Sequence, residues 1–299
     1  MARKISNAFL QELKLKDGCL NPILNYVKSD DTLNMELRGD SVAIYYRGGK
    51  LLSIKEKSFE LIALDSNYHK ESGLISPTVE NIEDYIPKAK RIVDKYVVEV
   101  KNHLWEKEIQ QRIVQENNYS RNSYDTDFFI IDTEYQDIGR ADIVALCWES
   151  NASARKLSKN RPLKITIFEV KQGIDSIKGN AGMYSHWNDF NTFIAGKDKV
   201  ESFKKDMIAV FEQKRELGLI IETEKLGKVD ITKVSDDIDF VFLLANYKSA
   251  SANLREELDK IPDCKFIYAN PMGYGLYLQN IVGKQKFIER FILVTRTKD

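Results

Sequence analysis

The chain has 299 residues, 43% hydrophobic and 30% charged, with 45 Lys+Arg against 45 Asp+Glu and a formal net charge of zero. That length suits one large domain or two smaller ones, and the composition excludes a disordered or fibrous chain. Electroneutrality does not favour a nucleic-acid binder, whose domains are often basic, yet it leaves room for a local basic surface or a compact acidic site.

The N-terminus, "MARKISNAFLQELKLKDG", lacks the apolar core and small-residue cleavage site of a secretory signal, and Ile5, Phe9, Leu10 and Leu13 space like a short amphipathic helix. Residues 30–54 read as three short strands punctuated by Gly39-Asp40 and Gly48-Gly49, a β-meander. Within it "YYRGGK" sets Tyr45 and Tyr46 beside Arg47 and Lys50, either a packed hairpin with a polar tip or a stacking contact for nucleic acid. The polar stretch 72–84 predicts a domain boundary, giving an N-terminal α+β module over 1–78 and a main domain over 79–299. Pro87 is placed at the first turn of a helix that continues to about Asn117 on the spacing Ile92, Tyr96, Val100, Leu104, Ile109, Ile113.

Three strands follow: "TDFFIIDTEYQD", then after Gly139 "RADIVALCWES", then "LKITIFEVKQG". Between the last two lies a loop with Arg155, Lys156, Lys159 and Arg161 and no acid, either solvated or riding a phosphate backbone. Helices are predicted within "GNAGMYSHWNDFNTFIAG", across "DKVESFKKDMIAVFEQKREL", and across "SANLREELDKI" with a Ser N-cap. "DIDFVFLLANY" reads as a central strand, and "CKFIYAN" and "YGLYLQNI" as two more. From residue 87 the order is α-β-β-β-α-β-α-β-β, a mixed sheet flanked by helices. No apolar run reaches the roughly 18 residues of a membrane span. Three cysteines without a CxxC pair and three dispersed histidines argue against a disulfide framework or a structural zinc site, and fit a reducing cytoplasm.

The charged residues in these apolar strands carry the chemistry. Glu134 falls near the end of the first strand, Asp142 at the start of the second and Glu169 at the end of the third; Lys171, two residues on, points to the same side as Glu169. A hairpin at Gly139 brings Glu134 and Asp142 together, and a third strand with the same end facing the turn adds Glu169 and Lys171. Paired carboxylates suit a hard cation such as Mg²⁺, and a lysine beside them can hold a metal-bound water or neutralise phosphate charge. The plainer reading of Glu169 and Lys171 is a same-face ion pair. Asp132 and Asp137, flanking Glu134, read as turn and edge charges.

"GRADIVAL" and "IFEVKQG", with the preceding "EKEIQQRIVQENN" helix and "IIDTEYQ" strand, resemble the PD-(D/E)XK nuclease superfamily, which includes type II restriction enzymes and Holliday junction resolvases, over roughly residues 100–250. The resemblance implies a restriction-endonuclease-like α/β fold with a mixed central sheet, a small N-terminal α+β module preceding it. Asp142 matches the first acid, Glu169 the second and Lys171 the lysine, so Asp142 and Glu169 would be metal ligands, joined by the Val170 carbonyl. Ala141 stands where the name-giving proline would be. Some members use a glutamate on the preceding helix; Glu108 matches best, with Glu106 next and a Glu108–Arg112 surface pair as the plain reading. Gln172 takes the place of a polar residue that contacts the site in many relatives. His186 and Asp189 lie in a stretch similar to that after the ExK strand in uncharacterised bacterial members; His186 would touch phosphate or leaving group, or simply pack beside Trp187.

The expected function is therefore Mg²⁺-dependent hydrolysis of DNA phosphodiester bonds, with Mn²⁺ substituting and RNA as the other polymer of the same chemistry. A bacterial, cytoplasmic enzyme without a membrane partner is expected, and two-strand cleavage suits a homodimer. The alternative is a catalytically silent module that binds nucleic acid or protein on the same fold.

Overall fold

The computed structural model describes residues 2–68, 74–99, 105–120, 123–156, 161–173, 175–179, 182–221, 223, 226–245, 252–269 and 273–292. The architecture is mixed α/β, with a four-stranded and a six-stranded sheet. The chain divides into two compact units, Met1–Tyr124 with Phe203–Ile231, and Asp125–Ser202 with Thr232–Asp299. The connection at 72–84, where composition changes, falls inside the first unit, and residues 72 and 73 of it lie outside the described residues.

In the first unit, helix α1 (Asn7–Lys14) starts where the Ser6 hydroxyl accepts from the Phe9 N–H, and it buries Phe9, Leu10 and Leu13. Helix α2 (Asn21–Ser29), which the sequence reading did not separate, carries Pro22 in its first turn. Strands β1 (Asn34–Leu37), β2 (Ser41–Tyr46), β3 (Gly49–Lys55) and β4 (Leu61–Ala63) form an antiparallel meander in chain order, one strand more than the three expected. Arg47 and Gly48 both have positive φ, the geometry a two-residue hairpin needs to match strand twist. Helix α3 (Ile82–Glu99) packs on the meander; buried Tyr85 donates its hydroxyl to the Leu51 carbonyl and accepts from the Leu64 N–H. Pro87 is inside this helix, not at its first turn, because the helix starts five residues earlier at Ile82. Helix α4 (Trp105–Val114) is a separate element ending in a π-helical turn over Gln115–Tyr119; the expected continuous helix through Val100 and Leu104 runs over residues outside the description. Helix α6 (Lys197–Glu216) spans the division between the units. Its Phe203–Glu216 portion is met by the N-terminus: Asp206 accepts from the Arg3 N–H, and Gln213 exchanges two hydrogen bonds with the Ile5 backbone.

In the second unit, strands β5 (Phe128–Tyr135), β6 (Ala141–Cys147) and β7 (Leu163–Gln172) are successive antiparallel neighbours. Strands β8 (Val234–Ala245) and β9 (Lys265–Ala269) join β7 in parallel, and β10 (Val282–Gly283) closes the edge, giving the order β10-β9-β8-β7-β6-β5. Strand β8 is apolar and buried from Phe240 to Ala245, as a strand covered on both faces must be, whereas its neighbour β7 carries Glu169 and Lys171 among its buried apolar residues. The parallel steps are bridged by helices α5 (Met183–Ala195) with α6, and by α7 (Ala252–Lys260). Ser251, the expected cap of α7, lies outside the described residues. An aromatic ladder on one face runs from Trp187 and Phe190 of α5 through Phe240 and Phe242 to Phe266, then to Phe287 of α8 (Lys284–Phe291).

Two expectations at this end need correction. "YGLYLQNI" forms no strand but a 3₁₀ turn at Leu278–Asn280, stapled to the unit by Asp127 accepting from the Leu278 N–H. Arg155 does not ride in solvent: it is buried, stacked over Phe129 at 4.7 Å and donating to the Thr126 carbonyl. Of the other loop cations, Lys156 and Arg161 are exposed and Lys159 is outside the described residues. Among the described residues no helix is long and apolar enough to cross a membrane.

Candidate active site

The site is built by pairing register. Ile143 lies opposite Phe168, so Asp142 and Glu169 are the next positions along β6 and β7 and share a face. Asp142 Oδ2 accepts from the Val170 N–H at 2.8 Å, fixing the carboxylate against the neighbouring strand. Glu169 and Lys171, on one face by strand alternation, join at 2.7 Å, and His186 of α5 reaches the same oxygen, Oε1, through Nδ1 at 3.0 Å. Asp142 is 6% exposed, Glu169 2% and Lys171 3%. At such burial an unpaired charge costs several kcal/mol; Glu169 and Lys171 are bonded to each other, and Asp142 accepts from a backbone N–H. With Oε1 approached by both Lys171 Nζ and His186 Nδ1, Glu169 keeps Oε2 free of hydrogen bonds among the described residues.

Helix α5 delivers His186 because it docks near the β5–β6 turn. Gly139 in that turn has φ 53°, and a Cβ there would come within 2.5 Å of Asp189 Oδ2, so only glycine lets the helix approach. Asp189 itself is exposed, one helical turn beyond His186.

Glu134 sits between the pairs Thr133–Ile143 and Tyr135–Ala141, abreast of Asp142. Its φ of 57° is unusual for a strand residue, a strain of order 1–3 kcal/mol, and its carboxylate is ion-paired with Arg140 at 2.7 Å. Gln172 ends β7 on the opposite face from Glu169 and Lys171, half-buried. Val170 enters the cluster through its backbone. Glu108 belongs to the first unit, where it is buried and ion-paired with Arg47 and Arg112, while Glu106 beside it is half-buried.

Asp132 departs from the edge charge expected of it. It is wholly buried, pairs across to Val144 after a bulge in β5, and so lies on the face of Asp142 and Glu169. Its signal in the sequence was an acid inside the apolar run "FFIID", which only the bulge register turns toward the site. Asp137, in the turn, is exposed as expected.

Of Val170, the N–H is what meets the cluster. The two carboxylates of Asp142 and Glu169 fit Mg²⁺, which takes one or two protein carboxylates and completes its shell with water and phosphate. They do not fit zinc, which asks for four protein ligands in a structural site. Among the described residues no group of three or more His, Cys, Asp or Glu is arranged to hold a metal by itself. Thiol chemistry finds no foothold at two of the cysteines: burial pushes Cys147 and Cys264 up to about 12, leaving thiols rather than nucleophilic thiolates. No known protein family, no curated protein and no solved structure matches the chain.

Proposed function

We propose that the second unit is a restriction-endonuclease-like domain that hydrolyses phosphodiester bonds of DNA with Mg²⁺. The observation that carries this reading is the convergence of Asp142, Glu169, Lys171 and His186 on one face at a sheet end, in a setting where buried charge is costly. Asp142 and Glu169 Oε2 are the groups to hold the ion. When bound, a divalent ion lowers the pKa of water and offsets phosphate charge. Lys171 orients the attacking water and neutralises charge that develops on the phosphate oxygens. His186 and Lys171 engage Glu169 Oε1, leaving Oε2 for the ion.

The test is a cleavage assay of the full chain on supercoiled, linear, single-stranded and branched DNA, and on RNA, with EDTA, Mg²⁺ or Mn²⁺. Cleavage should vanish in EDTA and fall at least ~10²-fold in Asp142→Ala and Lys171→Ala, the scale of losing one positioned catalytic group. Wild-type rates in Asp142→Ala would sink the proposal. A second reading, a silent binding module, is favoured by one feature: Lys171 and His186 already occupy Glu169 Oε1 with no metal needed to offset its charge. Folded protein that binds DNA but never cleaves it would select that reading.

A further inference from the structure

The first unit holds a cavity of about 260 Å³ lined by Tyr46, Arg47, Glu108, Arg112 and Gln115 together with Thr32 and Gln111. It is rigidly framed. Gln111 accepts from the Gly48 N–H and donates to the Thr32 and Tyr45 carbonyls, tying α4 to the β2–β3 hairpin. A Cβ at Gly48 would come within 2.7 Å of the Lys107 Cβ, so the hairpin tip lies directly against the helix.

Its polar groups are only partly spent. Arg47 Nε and Arg112 Nη2 both donate to Glu108 Oε1, at 3.2 and 2.8 Å, and Arg47 Nη1 goes to Asp94. Among the described residues this leaves Arg47 Nη2, Arg112 Nη1 and Nε, the Gln115 amide, and Glu108 Oε2 without protein partners. The Glu108 side chain is 6% exposed and lines the cavity, so its remaining oxygen is an acceptor open to a donor brought into that space. Two guanidiniums against the carboxylates of Glu108 and Asp94 make the local charge even, so a simple anion gains little net field here. A neutral planar group with its own donors and acceptors gains more.

We propose that this cavity binds a nucleobase presenting two adjacent acceptors beside a donor, namely guanine (N7, O6, then N1–H) or cytosine (O2, N3, then the N4 amino group). The acceptors meet the arginine donors and the donor meets Glu108 Oε2, the pairings by which Arg reads guanine and Glu reads cytosine elsewhere. Adenine and uracil alternate donor and acceptor and leave one arginine donor facing a donor. The volume lies just below the range of drug-sized sites, which suits a base with its sugar and phosphate outside. Tyr46 adds an aromatic wall, although Lys90 already lies over its ring at 4.6 Å.

The inference goes beyond cleavage and does not depend on it, because mononucleotides have no internucleotide bond. Calorimetric titration of the full wild-type chain with GMP, CMP, AMP, UMP and ribose 5-phosphate tests it. GMP or CMP should bind at least tenfold more tightly than AMP and UMP, and ribose 5-phosphate should not bind. Glu108→Gln and Arg112→Ala should each weaken that nucleotide tenfold or more. Arg112→Lys, which keeps the charge at a half-exposed position but loses the fork, should do the same in a protein whose unfolding temperature is unchanged. Equal binding of all four nucleotides, binding of ribose 5-phosphate, or no binding overturns the assignment.

Discussion

Each unit holds a buried Lys–Glu pair, and these two pairs are closed to different degrees. In the first unit Lys214 meets Glu36 Oε2 at 2.8 Å with both side chains fully buried, while Asn34 donates to Oε1 at 2.9 Å and Tyr119 in turn donates to Asn34. Both oxygens of Glu36 are served, and the pair ties β1 to α6 across 178 positions of sequence. In the second unit Lys171 and His186 crowd onto one oxygen of Glu169, with Asp142 one strand away. The same two residue types at nearly the same distance therefore do different work. A pair whose carboxylate has both oxygens engaged is a tie within the core, and one that holds an oxygen back has an acceptor left for a ligand.

That contrast breaks first at Lys214. Lys214→Met leaves Glu36 buried without its cation, and stability should fall by about 3–5 kcal/mol. Urea denaturation measures the loss, and hydrogen exchange should locate it in β1 and in the Phe203–Glu216 portion of α6. A loss under 1 kcal/mol would mean that Glu36 is wetter than its burial indicates.

Lys171→Met sharpens the comparison from the other side. Glu169 keeps its His186 contact, so the stability loss should be nearer the roughly 1.5–3 kcal/mol of one charged hydrogen bond, while the cleavage proposed above should collapse. A loss as large as that at Lys214, read by the same urea midpoint, would make the second pair structural and remove the distinction.

Much of the second unit was legible because its determinants are local. The apolar runs of β5, β6, β7 and β8 announce themselves, Gly139 marks the turn, and residues two apart on a strand must share a face, so Glu169 and Lys171 could be paired from spacing alone. What failed was set at long range. Nothing local tells that Lys214 is the partner of Glu36, that Arg155 folds over Phe129 instead of facing solvent, or that a bulge between Ile130 and Asp132 turns an acid inward. Helix α8 escaped because one buried residue, Phe287, is too little periodicity to announce a helix, and β10 because two residues carry none. Glu108, expected at the site but lying in the first unit, shows the same limit: helical spacing found its Arg112 partner, but Arg47, from a hairpin 61 positions away, could not be read from it.

The smallest effect tests the closed pair by pH. Burial pushes the Glu36 carboxyl up, but Lys214 and Arg38 beside it, with hydrogen bonds from Lys214 and Asn34, outweigh that and hold it below its ordinary value of 4.5. A carboxyl depressed in the folded state adds stability that is fully present above the unfolded value and is lost as pH falls through the folded one; each unit of depression is worth about 1.4 kcal/mol. Wild type should therefore exceed Glu36→Gln in stability by a constant margin near neutrality, and the margin should shrink as pH drops below 4.5. The difference between the two urea midpoints isolates Glu36 from the chain's other acids, whose contributions cancel. A margin that stayed flat from neutrality to pH 3 would show that Lys214 does not hold Glu36 ionised, and a tie between β1 and α6 would then rest on neutral hydrogen bonds alone.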